Sequence, residues 1–193
     1  FATHYTGPAR EGDYKERGSP FLYEVAEGKQ VLDYKRYCAD VNGGTFPEYV
    51  TIFLGCNDTF WSTDETIEGL MEDMLIHLDQ IIAMIHKDAP ATRIGLIPAV
   101  PAAASQDAFG VNYKNGQTRW QYKRNQHTLV QTMYARYGGK EAEGISLIPA
   151  FTNIDCAHNY PQKEVAVNAR NEATVIRQTN GVHPNATGYR QIG

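Results

Sequence analysis

The chain has 193 residues, of which 42% are apolar and 21% charged, and its formal net charge at pH 7 is −4. This length is typical of one domain with a sizeable core, and the acidic balance argues against a nucleic-acid-binding surface, which needs a basic face. No apolar run approaches the roughly 18 residues that a transmembrane helix requires.

The first half of the chain predicts a loop, a helix, a strand and a second helix. Residues 1–30 are polar and without a lasting period, so we interpret them as a long loop, and residues 31–41 predict a helix that ends at the following Asn-Gly-Gly. Tyr49–Leu54 is a nearly continuous apolar run, which predicts a strand buried on both faces, as in a parallel sheet. The capping-box pattern at 62–65 precedes apolar residues at helical spacing, and this helix should end before Pro90.

The second half continues the alternation of strands and helices. Arg93–Val100 predicts a second buried strand, and residues 101–117 predict a loop of small and polar residues. A helix is expected from about Thr118 to Tyr137, where two glycines stop it, and Ile145–Ile148 predicts a third strand.

The last part of the chain predicts a long connection and a final helix. Residues 151–180 are polar and are interpreted as a structureless connection, which in a compact domain is usually functional or disordered. The final helix should begin near Pro184 and is cut off at Gly193. Strands that alternate with helices in this way are typical of a parallel α/β sheet, whose sites lie at the carboxyl ends of the strands.

One candidate motif, Gly55-Cys56-Asn57-Asp58, directly follows the first predicted strand. There the side-chain amide of Asn57 can donate a hydrogen bond to a developing negative charge, which is the role of an oxyanion-hole donor. We expect Gly55 to serve a tight turn and Asp58 to be a structural hydrogen-bond acceptor. The alternative is that Asn57 is an ordinary turn residue.

The other motif, Asn180-Gly181-Val182-His183-Pro184, lies 126 residues further on. An unperturbed imidazole titrates near pH 6.5, so His183 is ready to act as a general base at neutral pH. The alternative is a solvated histidine at a helix start. The other five histidines lie on predicted helices or in polar loops, and for these we favour a solvated or core role.

The two motifs together resemble the third and fifth sequence blocks of the SGNH (GDSL-type) hydrolases, a family of esterases and acylhydrolases. The resemblance implies an α/β fold, a three-layer α/β/α sandwich with a parallel, flavodoxin-like sheet that is incomplete at the N-terminus. It also implies a single domain over residues 1–193. In that family a Gly-Asp-Ser block carries the nucleophile, and a second block supplies a glycine N–H to the oxyanion hole, but neither block is visible here.

The resemblance also assigns roles to residues. His183 is implied as the base, Asn57 as an oxyanion donor, and Gly55 and Asp58 as motif support. Asn180 departs from the pattern, because the family usually has an aspartate three residues before the histidine, and that carboxylate orients the imidazole and stabilises its cation. Asn180 can still accept one hydrogen bond through its carbonyl, or another acceptor takes over this role.

No nucleophile is apparent in the chain. Its serines lie in loops, a helix cap and a buried strand, and we interpret Cys56 as a packing residue. Three widely spaced cysteines without a Cys-x-x-Cys pair predict neither a zinc site nor a disulfide framework, although one disulfide stays open. No histidine pattern suggests a metal, and the resembled chemistry needs no cofactor.

We therefore predict a serine ester hydrolase that acts on a hydrophilic ester such as an acetylated carbohydrate, with neither nucleic acid nor membrane as a partner. The alternative is a non-catalytic carbohydrate-binding or interaction domain, which Asn180 favours. We expect residues 1–193 alone to be inactive, and another segment or chain to carry the nucleophilic serine. Polar side chains of the 151–180 connection, such as Asp155 and His158, could rim the cleft. The sequence leaves the cell compartment open, with a periplasmic or secreted location favoured over a cytoplasmic one.

Overall fold

The computed structural model describes residues 21–27, 29–112 and 116–193. The seven strands are β1 (Leu22–Ala26), β2 (Lys29–Leu32), β3 (Tyr49–Ile52), β4 (Arg93–Leu96), β5 (Ile145–Leu147), β6 (Gln162–Asn168) and β7 (Asn171–Gln178). The six α-helices of this part of the chain are α1 (Tyr34–Asn42), α2 (Cys56–Phe60), α3 (Ile67–Asp88), α4 (Asp107–Asn112), α5 (Arg119–Tyr137) and α6 (Ala186–Ile192). The loop predicted over residues 1–20 lies outside the described residues.

The chain divides into two compact units. The first contains residues up to Val50 together with Met74–Ile94, and the second contains Thr51–Asp73 and Gly95–Gly193. Both sequence motifs belong to the second unit.

The first unit begins with an antiparallel hairpin of β1 and β2, in which Leu22 pairs with Leu32. The loop prediction is therefore wrong for residues 22–26 and 29–30. The backbone N–H and C=O groups of this polar stretch are satisfied by pairing between the two strands, which the side-chain pattern does not show. The helix predicted at 31–41 is confirmed as α1, but it starts only at Tyr34. Asp33 caps it by accepting a hydrogen bond from the Arg36 N–H at 2.8 Å, and Gly43 ends it with a φ of 58°.

The central sheet has three parallel strands in the order β3–β4–β5 and is flanked by helices. Backbone hydrogen bonds run from the Arg93 N–H to the Glu48 carbonyl (2.9 Å) and from the Ile148 N–H to the Leu96 carbonyl (2.8 Å). Ile94 and Leu96 on the middle strand are 1% and 0% exposed. The predicted parallel α/β fold is therefore confirmed.

The edge strand β3 differs from its prediction. It was expected to be buried on both faces, but Tyr49 is 60% exposed, and Phe53 and Leu54 just beyond it are 37% and 43% exposed. Its order in the sheet explains this, since among the described residues β3 has a neighbouring strand only on the β4 side. An apolar run in the sequence indicates a strand that can be buried, but it does not show whether a neighbouring element packs against that strand.

Helices α3 and α5 follow their predictions closely. Helix α3 ends at Asp88, before Pro90, although it begins at Ile67 rather than at the capping-box pattern, whose residues form a turn around Thr63. Helix α5 is capped by Thr118, whose hydroxyl accepts from the Gln121 N–H at 3.1 Å. Its buried face carries large apolar side chains at helical spacing, namely Tyr122, Leu129, Met133 and Tyr137.

The connection predicted as structureless at 151–180 is the largest error of the sequence analysis. It contains the antiparallel hairpin of β6 and β7, with Val165 opposite Val175. Most side chains of both strands are exposed, so the sequence lacks the apolar alternation that announces a strand. The loop predicted at 101–117 contains the short helix α4, and the final helix begins after an Asn185 cap rather than at Pro184.

The buried amide of Asn125 ties α5 to the loop that follows α2. Its Nδ2 donates to the carbonyls of Thr59 at 2.8 Å and Ser62 at 2.7 Å, and the residue is 0% exposed. These bonds therefore hold the helix that carries Asn57 against the longest helix of the second unit.

Asn125→Ala should lower the free energy of unfolding by about 1–3 kcal/mol, because it leaves two carbonyl oxygens without this donor inside the protein. Urea unfolding followed by circular dichroism measures the change. Gln131→Ala, on the exposed face of the same helix, is the matched control and should shift stability by less than about 0.5 kcal/mol. Equal effects of the two substitutions would contradict the structural role of Asn125.

Candidate functional site

The first motif forms a sharp turn from β3 into α2. Gly55 adopts a φ of 103°, a conformation that side chains other than glycine rarely tolerate, and it precedes the first residue of the helix. The Thr59 hydroxyl donates to the Gly55 carbonyl at 2.7 Å and closes the turn. Asn57 and Asp58 therefore stand exposed on the first turn of α2, beyond the carboxyl end of the strand, where an α/β sheet places its sites.

The second motif is a turn whose geometry is set by Asn180. The Asn180 side-chain carbonyl accepts hydrogen bonds from the backbone N–H groups of Val182 and His183, both at 2.9 Å. This arrangement is an Asx turn, which asparagine favours because its short side chain reaches the backbone two residues ahead. Asn180 therefore shapes the backbone under His183, and its carbonyl bonds are directed to N–H groups rather than to the imidazole.

The imidazole of His183 contacts Tyr189 instead. The Tyr189 hydroxyl lies 3.4 Å from His183 Nδ1, a long hydrogen bond in which the tautomer decides the donor. Tyr189 lies on α6, which Asn185 caps by accepting from the Gly188 N–H at 3.0 Å. Sequence analysis missed this partner, and the only signal was a tyrosine six residues beyond the histidine, one helical turn into the final helix.

An aromatic cluster carries both motifs. Phe60, Ala102, Phe109 and Tyr122 are buried together, and Val182 packs against them. Phe60 belongs to the same short helix as Asn57, and Val182 immediately precedes His183. The two motifs, far apart in sequence, therefore rest on one group of side chains.

Gly181 brings the histidine turn onto this cluster. A Cβ atom at position 181 would stand 2.7 Å from the ring of Phe109, closer than carbon atoms approach, so only glycine lets the backbone lie there. The Gly181 carbonyl also accepts from the Ala103 N–H at 3.0 Å. The turn is thus fixed by packing on one side and by a backbone hydrogen bond on the other.

Cys56 belongs to the first motif and is the first residue of α2. Burial raises the pKa of its thiol to about 11, despite a hydrogen bond with Tyr122 that lowers it. The pKa of the Tyr189 hydroxyl is raised as well, first by burial and then by the proximity of the Cys56 sulfur. The protonated thiol fits the packing role predicted for Cys56.

The turn at 155–160 supports the start of α6. The Asn185 side chain donates to the His158 carbonyl at 2.9 Å, and the Asn185 N–H donates to the Asn159 carbonyl at 2.8 Å. Within the turn, Asp155 lies 2.7 Å from His158 Nδ1, and this hydrogen bond lowers the pKa of the Asp155 carboxyl. The pair itself is exposed, while the backbone of this turn holds the helix that carries Tyr189. Its place at the rim of a cleft stays a prediction.

The structure also locates the serines, the cysteines and the side chains that could bind a metal. Of the described serines, Ser62, Ser105 and Ser146, none is hydrogen-bonded to a histidine. Cys38, Cys56 and Cys156 are free thiols. Within the described ranges no group of three or more His, Cys, Asp or Glu side chains is arranged to hold a metal ion, and no helix there is long and apolar enough to cross a bilayer.

The chain resembles known proteins in its structure and in its family sequence pattern. One solved structure from Streptococcus pneumonia, described as a "putative platelet activating factor", matches with a TM-score of 0.47 and 17% sequence identity, covering 75% of this chain and 56% of that one. The chain thus spans little more than half the length of that protein. No curated protein sequence matches it. The family model of the GDSL-like lipases and acylhydrolases matches residues 9–193, which confirms the resemblance carried by the two motifs. The chain belongs to the GDSL-like lipase/acylhydrolase family.

Proposed function

We propose that this protein hydrolyses a carboxylic ester, with His183 as general base and Asn57 as an oxyanion donor. The observation that supports this most directly is the shared cluster under the two motifs, since Phe60 and Val182 pack in the same group of side chains. The family supports hydrolase function in general. The roles of individual residues rest on their geometry.

The proposed reaction has two steps. A serine hydroxyl attacks the ester carbonyl while His183 Nε2 takes its proton, and the carbonyl oxygen becomes an oxyanion that the Asn57 amide stabilises. The tetrahedral intermediate collapses, the C–O bond to the alcohol breaks, and His183 returns the proton to the leaving alkoxide. Water then repeats the sequence on the acyl-enzyme and releases the acid and the free serine.

Tyr189 orients the base in this proposal. When Nδ1 is protonated and its N–H donates a hydrogen bond to the Tyr189 hydroxyl, the lone pair of Nε2 is left free to accept the proton of the nucleophile. In this proposal the neutral phenol of Tyr189 orients the imidazole, a role that an aspartate carboxylate has in a Ser-His-Asp triad. Asn180 contributes by shaping the turn, through its two backbone hydrogen bonds.

The nucleophile is proposed to come from a segment that pairs with the exposed edge of β3. That edge carries Tyr49, Phe53 and Leu54, which are more than one third exposed. Apolar strand edges of this kind pair readily with another strand. A parallel neighbour there would end beside Asn57, so a serine that follows it would face the oxyanion donor.

A hydrophilic ester, such as an acetylated sugar, remains the proposed substrate. Both motifs stand in polar, exposed turns, with His183 and Asn57 open to solvent. A non-catalytic carbohydrate-binding domain is the second candidate, and the observation that favours it is the amide at Asn180, which supplies no negative charge near the imidazole.

His183→Ala should lower kcat on an activated acetyl ester by about 10²–10⁴, the usual contribution of a general base. The assay uses the full-length protein, with circular dichroism to confirm the fold. His77→Ala is the control, because His77 lies on α3, where its ring contacts Gln80, and it should keep the wild-type rate. A loss of less than about tenfold in His183→Ala would sink the assignment. Absence of activity in the wild-type protein would favour the binding domain.

Tyr189→Phe should reduce kcat by about three- to tenfold, because one neutral hydrogen bond to the base is lost. The affinity for substrate should change little, so the loss appears in kcat rather than in KM. Asn180→Asp is the informative comparison, since a carboxylate accepts the same two backbone bonds and should keep or raise the rate at neutral pH. If Tyr189→Phe left kcat unchanged and Asn180→Asp lowered it strongly, then Asn180, and not Tyr189, would be the residue that orients His183.

Cys56 should react slowly with iodoacetamide at pH 8. Its pKa of about 11 lies well above the ~8.5 of an ordinary thiol, which lowers the thiolate fraction by a factor of at least about 100. Mass spectrometry of the peptide that contains Cys56 gives the alkylation rate in the native protein, and the urea-unfolded protein provides the reference rate. Native alkylation as fast as in urea would instead make Cys56 a reactive thiol and a rival nucleophile.

A further inference from the structure

A small cavity opens in the second unit beside the N-terminus of α5. It has a volume of about 150 Å³ and is lined by residues 101–104, Arg119, Trp120, Lys123 and Cys156. Clefts for drug-sized ligands usually measure about 300–1,000 Å³, so this cavity suits a single ring or a similar small group.

The charged side chains that line the cavity are both cationic, in a chain whose net charge is −4. The Arg119 guanidinium is fixed in place, because it donates to the Ala104 carbonyl and lies 4.2 Å from the centroid of the Trp120 ring. The Lys123 ammonium stands 5.7 Å from the same centroid, and among the described residues no carboxylate is paired with it. Lys123 can therefore bind an anion without first breaking an ion pair.

The surroundings strengthen this positive character. The cavity lies at the first turns of a 19-residue helix, whose N-terminus carries a partial positive charge. The carboxylate next to Cys156, Asp155, accepts hydrogen bonds from the backbone of Ala157 and from both the backbone and the ring of His158, so its oxygens are occupied by groups of its own turn. An anion in the cavity meets two cations and a favourable helix dipole.

The other walls of the cavity are apolar. Trp120 is 55% exposed, with the Arg119 guanidinium over its ring, and Ala102 and Ala103 are buried. The exposed part of an aromatic ring can pack against the C–H face of a sugar ring. The combination therefore fits a ligand with one apolar face and one negative charge.

The cavity wall is joined to the catalytic turn. The Ala103 N–H donates to the Gly181 carbonyl at 3.0 Å, and the Ala104 N–H donates to the Cys156 carbonyl at 2.9 Å. Gly181 is two residues from His183, so the cavity wall is hydrogen-bonded to the turn that carries the proposed base.

We propose that this cavity binds a sugar ring that carries a carboxylate, which makes the substrate an acylated acidic sugar. The carboxylate pairs with Lys123 and Arg119, and the ring packs on Trp120. This inference rests on the proposed hydrolysis of a carbohydrate ester, but binding of the deacylated sugar requires no catalysis and is measured separately.

Binding of D-glucuronate tests the proposal directly. The chain has two tryptophans, Trp61 and Trp120, so in the Trp61→Phe protein the fluorescence reports Trp120 alone. Titration with D-glucuronate should give a saturable change that weakens as ionic strength rises. D-glucose, which has the same ring without the charge, should bind at least about fivefold more weakly.

Two lysine variants show whether the charge acts within the cavity. Lys123→Gln should weaken D-glucuronate binding about fivefold or more and leave the weak binding of D-glucose unchanged. Lys140→Gln is the matched control, because Lys140 also stands over an aromatic ring, 5.8 Å from the Tyr137 centroid, but outside the cavity. Both variants remove one exposed or half-exposed cation and should keep the wild-type melting temperature.

Equal affinity for D-glucuronate and D-glucose, or equal effects of the two lysine variants, would overturn the proposal. Tight binding of benzoate with none of D-glucuronate would also overturn it and would assign the cavity to aromatic acids. Hydrolytic activity in a protein that fails these binding tests would leave the proposed ester hydrolase intact. If the full-length protein bound D-glucuronate but showed no esterase activity, the subsite would be established and the proposed hydrolase rejected.

Discussion

The contact between Gly181 and the ring of Phe109 is the constraint on which the candidate site depends. A Cβ atom at position 181 would stand 2.7 Å from that ring, so the backbone of the His183 turn lies directly on the aromatic side chain. Phe109 meets Tyr122 at a centroid distance of 5.9 Å, and Tyr122 meets Phe60 at 5.2 Å. Three rings thus connect the turn of the histidine to the helix of Asn57, and because cores pack densely, a shift at one end is felt at the other.

The groups around the proposed base are mostly neutral. Burial keeps the Cys56 thiol and the Tyr189 hydroxyl protonated at ordinary pH, and the Asn180 amide carries no charge. In a site of this kind an imidazolium is stabilised by dipoles rather than by a carboxylate, and dipoles give less Coulomb energy than a full charge at the same distance. The wall of the positive cavity is joined to the same turn by the hydrogen bond from the Ala103 N–H to the Gly181 carbonyl.

The elements that could be predicted are those whose own sequence shows both their type and the face that they bury. Helix α5 shows its period and its glycine stop along the chain, and the structure confirms both; Thr118, where the helix was expected to begin, is its cap. The hairpin at Gln162–Gln178 could not be predicted in this way, since its strands are mostly exposed and, within the described ranges, each pairs with no strand but the other. The same distinction holds within the site. The positions of Asn57 and His183 follow from local turns, whereas the contact between Tyr189 and the imidazole depends on how α6 packs, which no local pattern encodes.

The exposed edge of β3 joins the fold to the proposed chemistry. Apolar side chains that stay in water lose roughly 25 cal/mol for each Å² that could have been buried, and the open backbone of the strand offers hydrogen bonds to a further strand. Asn57 stands directly beyond the end of this same strand, and parallel neighbours in a sheet end at a common edge. We propose that a segment paired with this strand places its last residue beside Asn57, the proposed oxyanion donor. In that proposal, the free energy gained by pairing at the edge of the sheet also fixes the position of the nucleophile.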